Sequence, residues 1–348
     1  MKMRLGAQEI LDTAGMYVIA EIGVNHNGSI ILAKQLIEEA KRAGANAVKF
    51  QMFSAEQLAS DQAELAGYQE KVKASNQKEM LSALELKKED FRELKHYCDQ
   101  VGITFLATPF DLQSAHFLHK LGMVAFKIGS GDLTNAPLLG LVASFRKPLL
   151  LSTGMSTLSE IEQALSWLTE NQEVALFHCT SAYPAPFEEL HLKVIETYRK
   201  AFQGSQVKKI GYSDHSQGIY VPIAAAALGY KLIEKHLTLD HSLEGPDHEA
   251  SLTPTEFKEM VEGIRQIEKS LGGTVKQVTS SEAETKPKVR RGIYLAKALE
   301  QGHILTEADL ICLRPAHHME AAQFFNVIGK KLMTRKQKGE ALHWNDIR

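Results

Sequence analysis

Residues 210–252 read IGYSDHSQGIYVPIAAAALGYKLIEKHLTLDHSLEGPDHEASL, and this stretch decides the fold. Two short apolar runs, 209–212 (KIGY) and 230–233 (YKLI), read as buried strands. His215 stands in the polar tip after the first and His236 in the tip after the second. Between them, IYVPIAAAALG is apolar enough for a helix packed on a sheet. Strand, tip, helix, strand, tip is a βα unit repeated. Parallel βα units present ligands at the C-terminal ends of their strands, so both histidines are expected to face one pocket. Two converging imidazoles suit a divalent metal. The competing reading is two unrelated surface histidines, because the chain has 14 of them.

The same rhythm runs outward through the chain. Residues 17–22 (YVIAEI) form an apolar run that carries Glu21 and leads into GVNHNG. Residues 47–50 (AVKF) hold Lys49, and 124–128 (VAFKI) hold Lys127 before GSGD. A lysine inside an apolar run needs a partner or an anionic ligand, since an unpaired buried charge is costly. Further strands are expected at 103–106, in the PLLLS run ending at Ser152, and at 173–177 before HCTSAYPAP. Helical spacing separates most of them, and 157–160 (TLSE) has capping-box spacing. Residues 54–86 read as a polar, mostly helical insertion. Eight candidate strands over about 250 residues give the size and rhythm of an α/β (β/α)8 TIM barrel. A doubly wound open sheet is the alternative, but the first turn is GVNHNG and not G-x-G-x-x-G.

After residue 271 the character changes. The reading is a barrel over 1–271, a polar linker over 272–287 and a small strand-rich domain over 288–348. That tail holds eleven Lys+Arg against six Asp+Glu, which reads as a solvated face because no aromatic platform accompanies it. A net charge of −2 gives no global sign of nucleic acid or membrane partners. Cys98, Cys179 and Cys312 lie far apart and read as free thiols of a reducing compartment. With neither a signal-like run nor a span of about 20 apolar residues, the expected location is cytoplasmic.

A barrel would gather Glu21, Lys49, Thr108, Lys127, Ser130, Asp132, Ser152, His178, Ser181, Tyr183, Ser213, His215 and His236 at one mouth. Lysines with hydroxyls and glycine-flanked amides suit a small anion bearing phosphate or carboxylate. Each hydroxyl alone could be a helix cap, and each lysine a salt bridge. Two chemistries compete. Lys127 could form an imine, as in an aldolase. Alternatively both lysines stay charged while a metal on His215 and His236 polarises a carbonyl. A hydrolase lacks an H-x-H pair or a second bridging carboxylate.

The motifs AEIGVNHNG, VKFQ, ATPFD, KIGSGD, LSTGM, HCTSAYP, YSDHS, EKHLT and GPDHEAS occur in this order. In that order they resemble the sialic acid synthase family over roughly residues 15–348. The tail, with KALEQGHILTEADLICLRP, resembles that family's antifreeze-like SAF domain, a β-clip fold. The resemblance implies condensation of phosphoenolpyruvate with the open chain of an N-acylated mannosamine-type sugar. C–O cleavage and phosphate release would follow, giving N-acetylneuraminate or an analogue such as legionaminate. A pseudaminate-type synthase with another acceptor is the alternative, and a silent sugar- or ice-binding protein is the alternative from another class.

By that resemblance, Lys49, Thr108, Lys127, Ser130, Ser152, Ser181 and Ser213 hold phosphoenolpyruvate, while Glu21, Tyr183 and Asp247 contact the sugar. His215 and His236 bind a divalent ion, Mn2+ first, with Mg2+ or Co2+ as substitutes. Asp132, where some relatives carry Glu, handles the water's protons. The family's tail crosses to the other subunit of a domain-swapped homodimer, and the arginine that reaches the sugar corresponds to Arg314. The family's R-P-G reads here as Arg314, Pro315, Ala316, and Ser181 stands where some relatives carry Asn. Ala tolerates fewer turns than Gly, so the Arg314 loop is expected to differ in shape.

Overall fold

Period-two alternation along each strand decides what faces the centre of the first unit. In residues 17–23, Val18, Ala20 and Ile22 pack outward into the main core, while Tyr17 and Ile19 join a separate inner cluster. Glu21 continues that inner row. The computed structural model describes residues 3–11, 15–65 and 74–348. They form two compact units that divide between Gly272 and Gly273, so the 273–287 stretch counts with the second.

The first unit contains eight parallel strands: β1 (Tyr17–Gly23), β2 (Ala47–Met52), β3 (Thr104–Pro109), β4 (Phe126–Ile128), β5 (Leu149–Ser152), β6 (Val174–Cys179), β7 (Val207–Asp214) and β8 (Leu232–His236). The hydrogen-bonded order is β3-β2-β1-β8-β7-β6-β5-β4, and its two ends pack beside one another, nearly closing a TIM-type barrel. Helices α1 (Ile30–Arg42), α2 (Lys88–Val101), α3 (Leu112–Lys120), α4 (Ala136–Ser144), α5 (Leu158–Ser166), α6 (Val194–Ala201), α7 (Tyr220–Leu228) and α8 (Pro254–Leu271) each follow one strand.

Local chemistry starts these helices where the sequence offers a cap. The Thr157 and Glu160 side chains make the expected capping box at α5, and Thr253 with Glu256 makes another at α8, where Pro254 opens the helix. Gly102 and Gly229 end α2 and α7 with positive φ, a conformation that suits glycine.

The bottom of the barrel is closed by the N-terminal hairpin, Met3–Leu5 paired with Gln8–Ile10. Met3, Leu5 and Ile10 are buried with Tyr17, Ile19, Leu106, Leu150, Phe177 and Leu232. That plug makes the lower interior apolar, so the polar inward positions collect above it.

Residues 54–86 are an insertion between β2 and α2, as expected, with short helices at Ala55–Leu58 and Gln77–Leu84. Residues 66–73 lie outside the described residues. The expectation that this segment is simply polar fails: Leu58, Met80, Leu81 and Leu84 join Val24, Phe53 and Phe110 in an apolar cluster. Apolar positions spaced three and four apart put one face of 77–84 inward.

The second unit pairs β9 (Gly292–Leu295) with β10 (Leu310–Leu313) antiparallel and adds isolated bridges such as Tyr294 to Ala341 and Leu332 to Ile347. Ile293, Leu295, Leu305, Val327, Leu332 and Leu342 form its own core. No helix among the described residues is long and apolar enough to cross a membrane. All three cysteines are free thiols.

Candidate functional site

At the C-terminal ends of the strands lies a cavity of about 450 Å³. Its lining contains Glu21, Lys49, Thr108, Lys127, Ser130, Ser152, Ser181, Tyr183, Ser213, His215, His236 and Asp247, which brings together twelve of the residues expected from the sequence. Asp132 is one residue beyond the lining Gly131, and its Oδ1 accepts a hydrogen bond from Asn135 Nδ2 at 2.9 Å. His178 is turned away to Leu190, 2.7 Å from its carbonyl oxygen. Arg314 belongs to the second unit.

The floor of the cavity is a network around Glu234, a residue the sequence reading passed over. Glu234 Oε1 accepts from Ser213 Oγ at 3.0 Å and from Lys127 Nζ at 3.3 Å, and lies 3.9 Å from Lys49 Nζ. Lys127 also donates to Ser152 Oγ at 2.6 Å, and Lys49 to Thr108 Oγ1 at 3.0 Å. Lys49 Nζ is 2.7 Å from Glu21 Oε2, whose other oxygen accepts from Gln51 Nε2 at 2.9 Å. The signal for Glu234 was available: it stands two residues before His236 and so shares its face of the strand. Gln51 stands two after Lys49 by the same rule.

Burial sets the charges. Glu234 is buried, which opposes its charge, but Lys127, Lys49 and the Ser213 hydroxyl outweigh that and hold it below the usual carboxylate range. Burial lowers Lys127 below the ordinary amine value although Glu234 opposes the shift. Lys49 is held above the ordinary value, because Glu21 and Glu234 outweigh its burial. Glu21 is raised by burial in spite of Lys49, with Glu234 adding to the rise. With two carboxylates facing it, Lys49 is the protonated partner of that pair. Asp247 is pushed up to about 7 by burial and by Glu21.

The two histidines do converge, with ring centroids 5.6 Å apart and Tyr183 packed against both. His215 Nδ1 sits 2.7 Å from the Thr180 carbonyl oxygen and donates to it, which leaves Nε2 as the free lone pair. His236 Nδ1 is buried without a hydrogen-bond partner, 3.6 Å from Asp247 Oδ2. Burial holds His215 at about 4 and His236 well below its ordinary value, so both rings are neutral at pH 7. Neutral imidazoles with an orphaned buried nitrogen fit a divalent cation. No cluster of three or more His, Cys, Asp or Glu side chains is arranged for a metal among the described residues. An ion there would rest on two protein ligands and draw the others from water or substrate.

Ser130 Oγ accepts from the Gly154 amide at 3.0 Å and lies 3.1 Å from Cys179 Sγ. A Cβ on Gly154 would collide with Ser181 Oγ and reach within 3.0 Å of Ser130 Oγ and Cys179 Sγ. Glycine here lets three β-strand tips close on one spot. The whole arrangement presents two cations, several hydroxyl donors and two unprotonated imidazoles in one enclosed space. It can hold a small polyanion beside a carbonyl compound.

Comparison with known proteins agrees with this geometry. Residues 36–276 match the model of the NeuB family, and residues 290–348 match that of the SAF domain. The chain is 43% identical over 331 residues to the N,N'-diacetyllegionaminic acid synthase of Campylobacter jejuni, covering 93% of this chain and 98% of that one. It is 34% identical to the human N-acetylneuraminate-9-phosphate synthase, covering 94% and 91% of the two chains. The crystal structure of N-acetylneuraminic acid synthetase from Leptospira borgpetersenii superposes with a TM-score of 0.73 at 34% identity, covering 82% of this chain and 95% of that one.

Proposed function

The chain belongs to the NeuB family and ends in a SAF domain, and on that premise we propose that it condenses phosphoenolpyruvate with the open chain of an N-acylated mannosamine-type sugar. The product is a nonulosonic acid of the sialic or legionaminic type. The observation that carries this reading is the shared Glu234 carboxylate, which holds Lys127 and Lys49 side by side beneath the His215–His236 pair.

In this proposal Lys49 and Lys127, with Thr108, Ser130, Ser152, Ser181 and Ser213, bind the phosphate and carboxylate of phosphoenolpyruvate. Glu21, Tyr183 and Asp247 position the acceptor, and Arg314 from the second subunit of a domain-swapped homodimer is assigned to it as well. His215 and His236 hold a divalent ion, Mn2+ first, which when bound polarises the acceptor's aldehyde. C3 of phosphoenolpyruvate then bonds to the aldehyde carbon, water adds at C2, and the C2–O bond to phosphate breaks. Asp132, beside the lining Gly131 and raised by burial, is the candidate for handling the water's protons. The apolar plug below and the insertion beside the cavity exclude bulk water from these charges, which strengthens them.

Phosphate release from phosphoenolpyruvate, followed with Mn2+ and an N-acylated mannosamine, tests the reading. Release should require the sugar and stop with chelator. Release that persists unchanged under chelation would remove the metal from the scheme, and borohydride trapping of Lys127 would point to an imine instead.

A further inference from the structure

Two loops at the mouth of the barrel are tied together by polar side chains that take no part in the lysine–carboxylate network. Residues 24–29 follow β1 and residues 237–251 follow β8, and Val24, Pro246 and Asp247 from these loops line the cavity. Asn25 is buried and directs both amide hydrogens at the second loop. Its Nδ2 donates to the Leu237 carbonyl oxygen at 2.9 Å and to Ser251 Oγ at 2.8 Å. Ser251 Oγ in turn donates to the carbonyl oxygen of Asp247 at 2.6 Å. Asn25 Oδ1 is buried without a partner, and turning the amide over would set an oxygen against the Leu237 oxygen. An orphaned acceptor works against stability, so this side chain is there for its two donors.

His248, next to Asp247, makes the second tie. Asn27 Nδ2 donates to the Glu244 carbonyl oxygen at 3.0 Å, which turns Asn27 Oδ1 towards His248 Nε2, 3.2 Å away. Burial keeps the ring neutral, so Nε2 carries its one hydrogen and donates to Asn27. Nδ1, 2.7 Å from Thr238 Oγ1, then accepts from that hydroxyl. A Cβ on Gly245 would lie 2.7 and 2.8 Å from two atoms of the His248 ring, and glycine there lets the chain pass across the imidazole.

Resting on the function proposed above, we infer that Asn25, Asn27 and His248 are positioning residues, a clasp between the two loops that fixes Asp247 beside His236. Asp247 is held from both sides, its own carbonyl through Ser251 to Asn25 and its neighbour His248 through Asn27. Its carboxylate, 3.6 Å from His236 Nδ1, is thus placed by side chains that do not themselves line the cavity.

Side-chain replacements separate the clasp from packing. Asn27 has a φ of +48°, which glycine adopts freely, so Asn27→Gly removes the side chain without straining the backbone. His248→Gln keeps a donor at the reach of Nε2, whereas His248→Asn keeps a group only at the reach of Nδ1. Phosphate release by the full-length, Mn2+-loaded protein is followed with N-acetylmannosamine and its 2,4-diacetamido-6-deoxy relative as acceptors. Asn27→Gly and His248→Asn should lower kcat/KM for the acceptor by roughly 10-fold and move KM for phosphoenolpyruvate by less than about 2-fold. His248→Gln should recover most of the loss. In an Asp247→Ala background the same substitutions should add less than about 2-fold, because they act through Asp247. Hydrogen exchange of the 238–251 amides in the metal-free protein should quicken in the two weakened variants and stay at the parent rate in His248→Gln. Losses that persist in full in the Asp247→Ala background, equal losses in the Gln and Asn variants, or parent-like kinetics in Asn27→Gly would each overturn the positioning role. Phosphate release by the parent with neither acceptor would bring down the synthase reading itself, and this inference with it.

Discussion

At Glu234 a single carboxylate oxygen serves Ser213, Lys127 and Lys49 at 3.0, 3.3 and 3.9 Å. Glu234→Gln keeps the shape and a hydrogen bond to Ser213 but removes the charge that opposes the desolvation of Lys127. The Lys127 amine, already lowered by burial, then loses its proton at lower pH still. An amine held low is charged below its folded pKa and neutral above it. The basic limb of the pH profile of kcat/KM for the proposed substrate, phosphoenolpyruvate, should therefore move towards acid in the variant. With the lysine head groups no longer held together, kcat/KM should fall on the order of 10²-fold. An unchanged profile would mean that Ser152 and Thr108 alone position the lysines.

Strand β8 ends at His236 and β7 ends one residue before His215, and what locks their ends together is a second buried pair. Lys235 Nζ lies 2.7 Å from Asp214 Oδ2 and donates also to the Ser216 carbonyl, with both side chains fully buried. These residues alternate with the two histidines: Asp214 precedes His215, and Lys235 precedes His236. Lys235→Met strands a buried carboxylate and should cost about 3–5 kcal/mol in a urea titration, while Asp214→Leu with Lys235→Met should recover most of it. Equal losses in the single and double variants would show that packing, rather than the charge, is at stake. This element also shows why some of the site was legible in sequence and some was not. His215, His236, Lys49 and Lys127 are unusual residues in apolar runs, so a strand pattern exposes them. Glu234 and Lys235 sat past the end assigned to their strand, and the alternation that separates cavity-facing Glu234 from outward Lys235 appears only once β8 extends to His236. The apolar face of residues 77–84 was hidden by the charged residues around it, and the N-terminal hairpin carried no sign that it would plug the barrel.

Across the whole molecule, the two units have separate cores, one built on the barrel strands and one on Ile293, Leu305, Val327 and Leu342. Each also carries one tryptophan, Trp167 in the first and Trp344 in the second, so their unfolding can be followed apart. The second core depends on Asp309, buried at 1% exposure. Its carboxylate takes Lys297 Nζ at 2.8 Å, His303 Nε2 at 2.8 Å and the Thr306 amide at 2.8 Å. Burial opposes the Asp309 charge, but Lys297, Thr306 and His303 outweigh it and hold the carboxyl far below its ordinary value. A carboxylate depressed on folding stabilises fully above its unfolded pKa of about 3.9 and loses that contribution as pH falls below it. Asp309→Asn in a Trp167→Phe background should lower the stability reported by Trp344 by about 1–3 kcal/mol at pH 7. The difference from the parent should shrink below about pH 4, where the aspartate of the unfolded chain begins to take up its proton while the folded one is still charged. In a Trp344→Phe background the same substitution should leave the Trp167 transition in place, because Asp309 belongs to the other core. A Trp167 transition that moves in step with the Trp344 one would instead make the two units a single cooperative body.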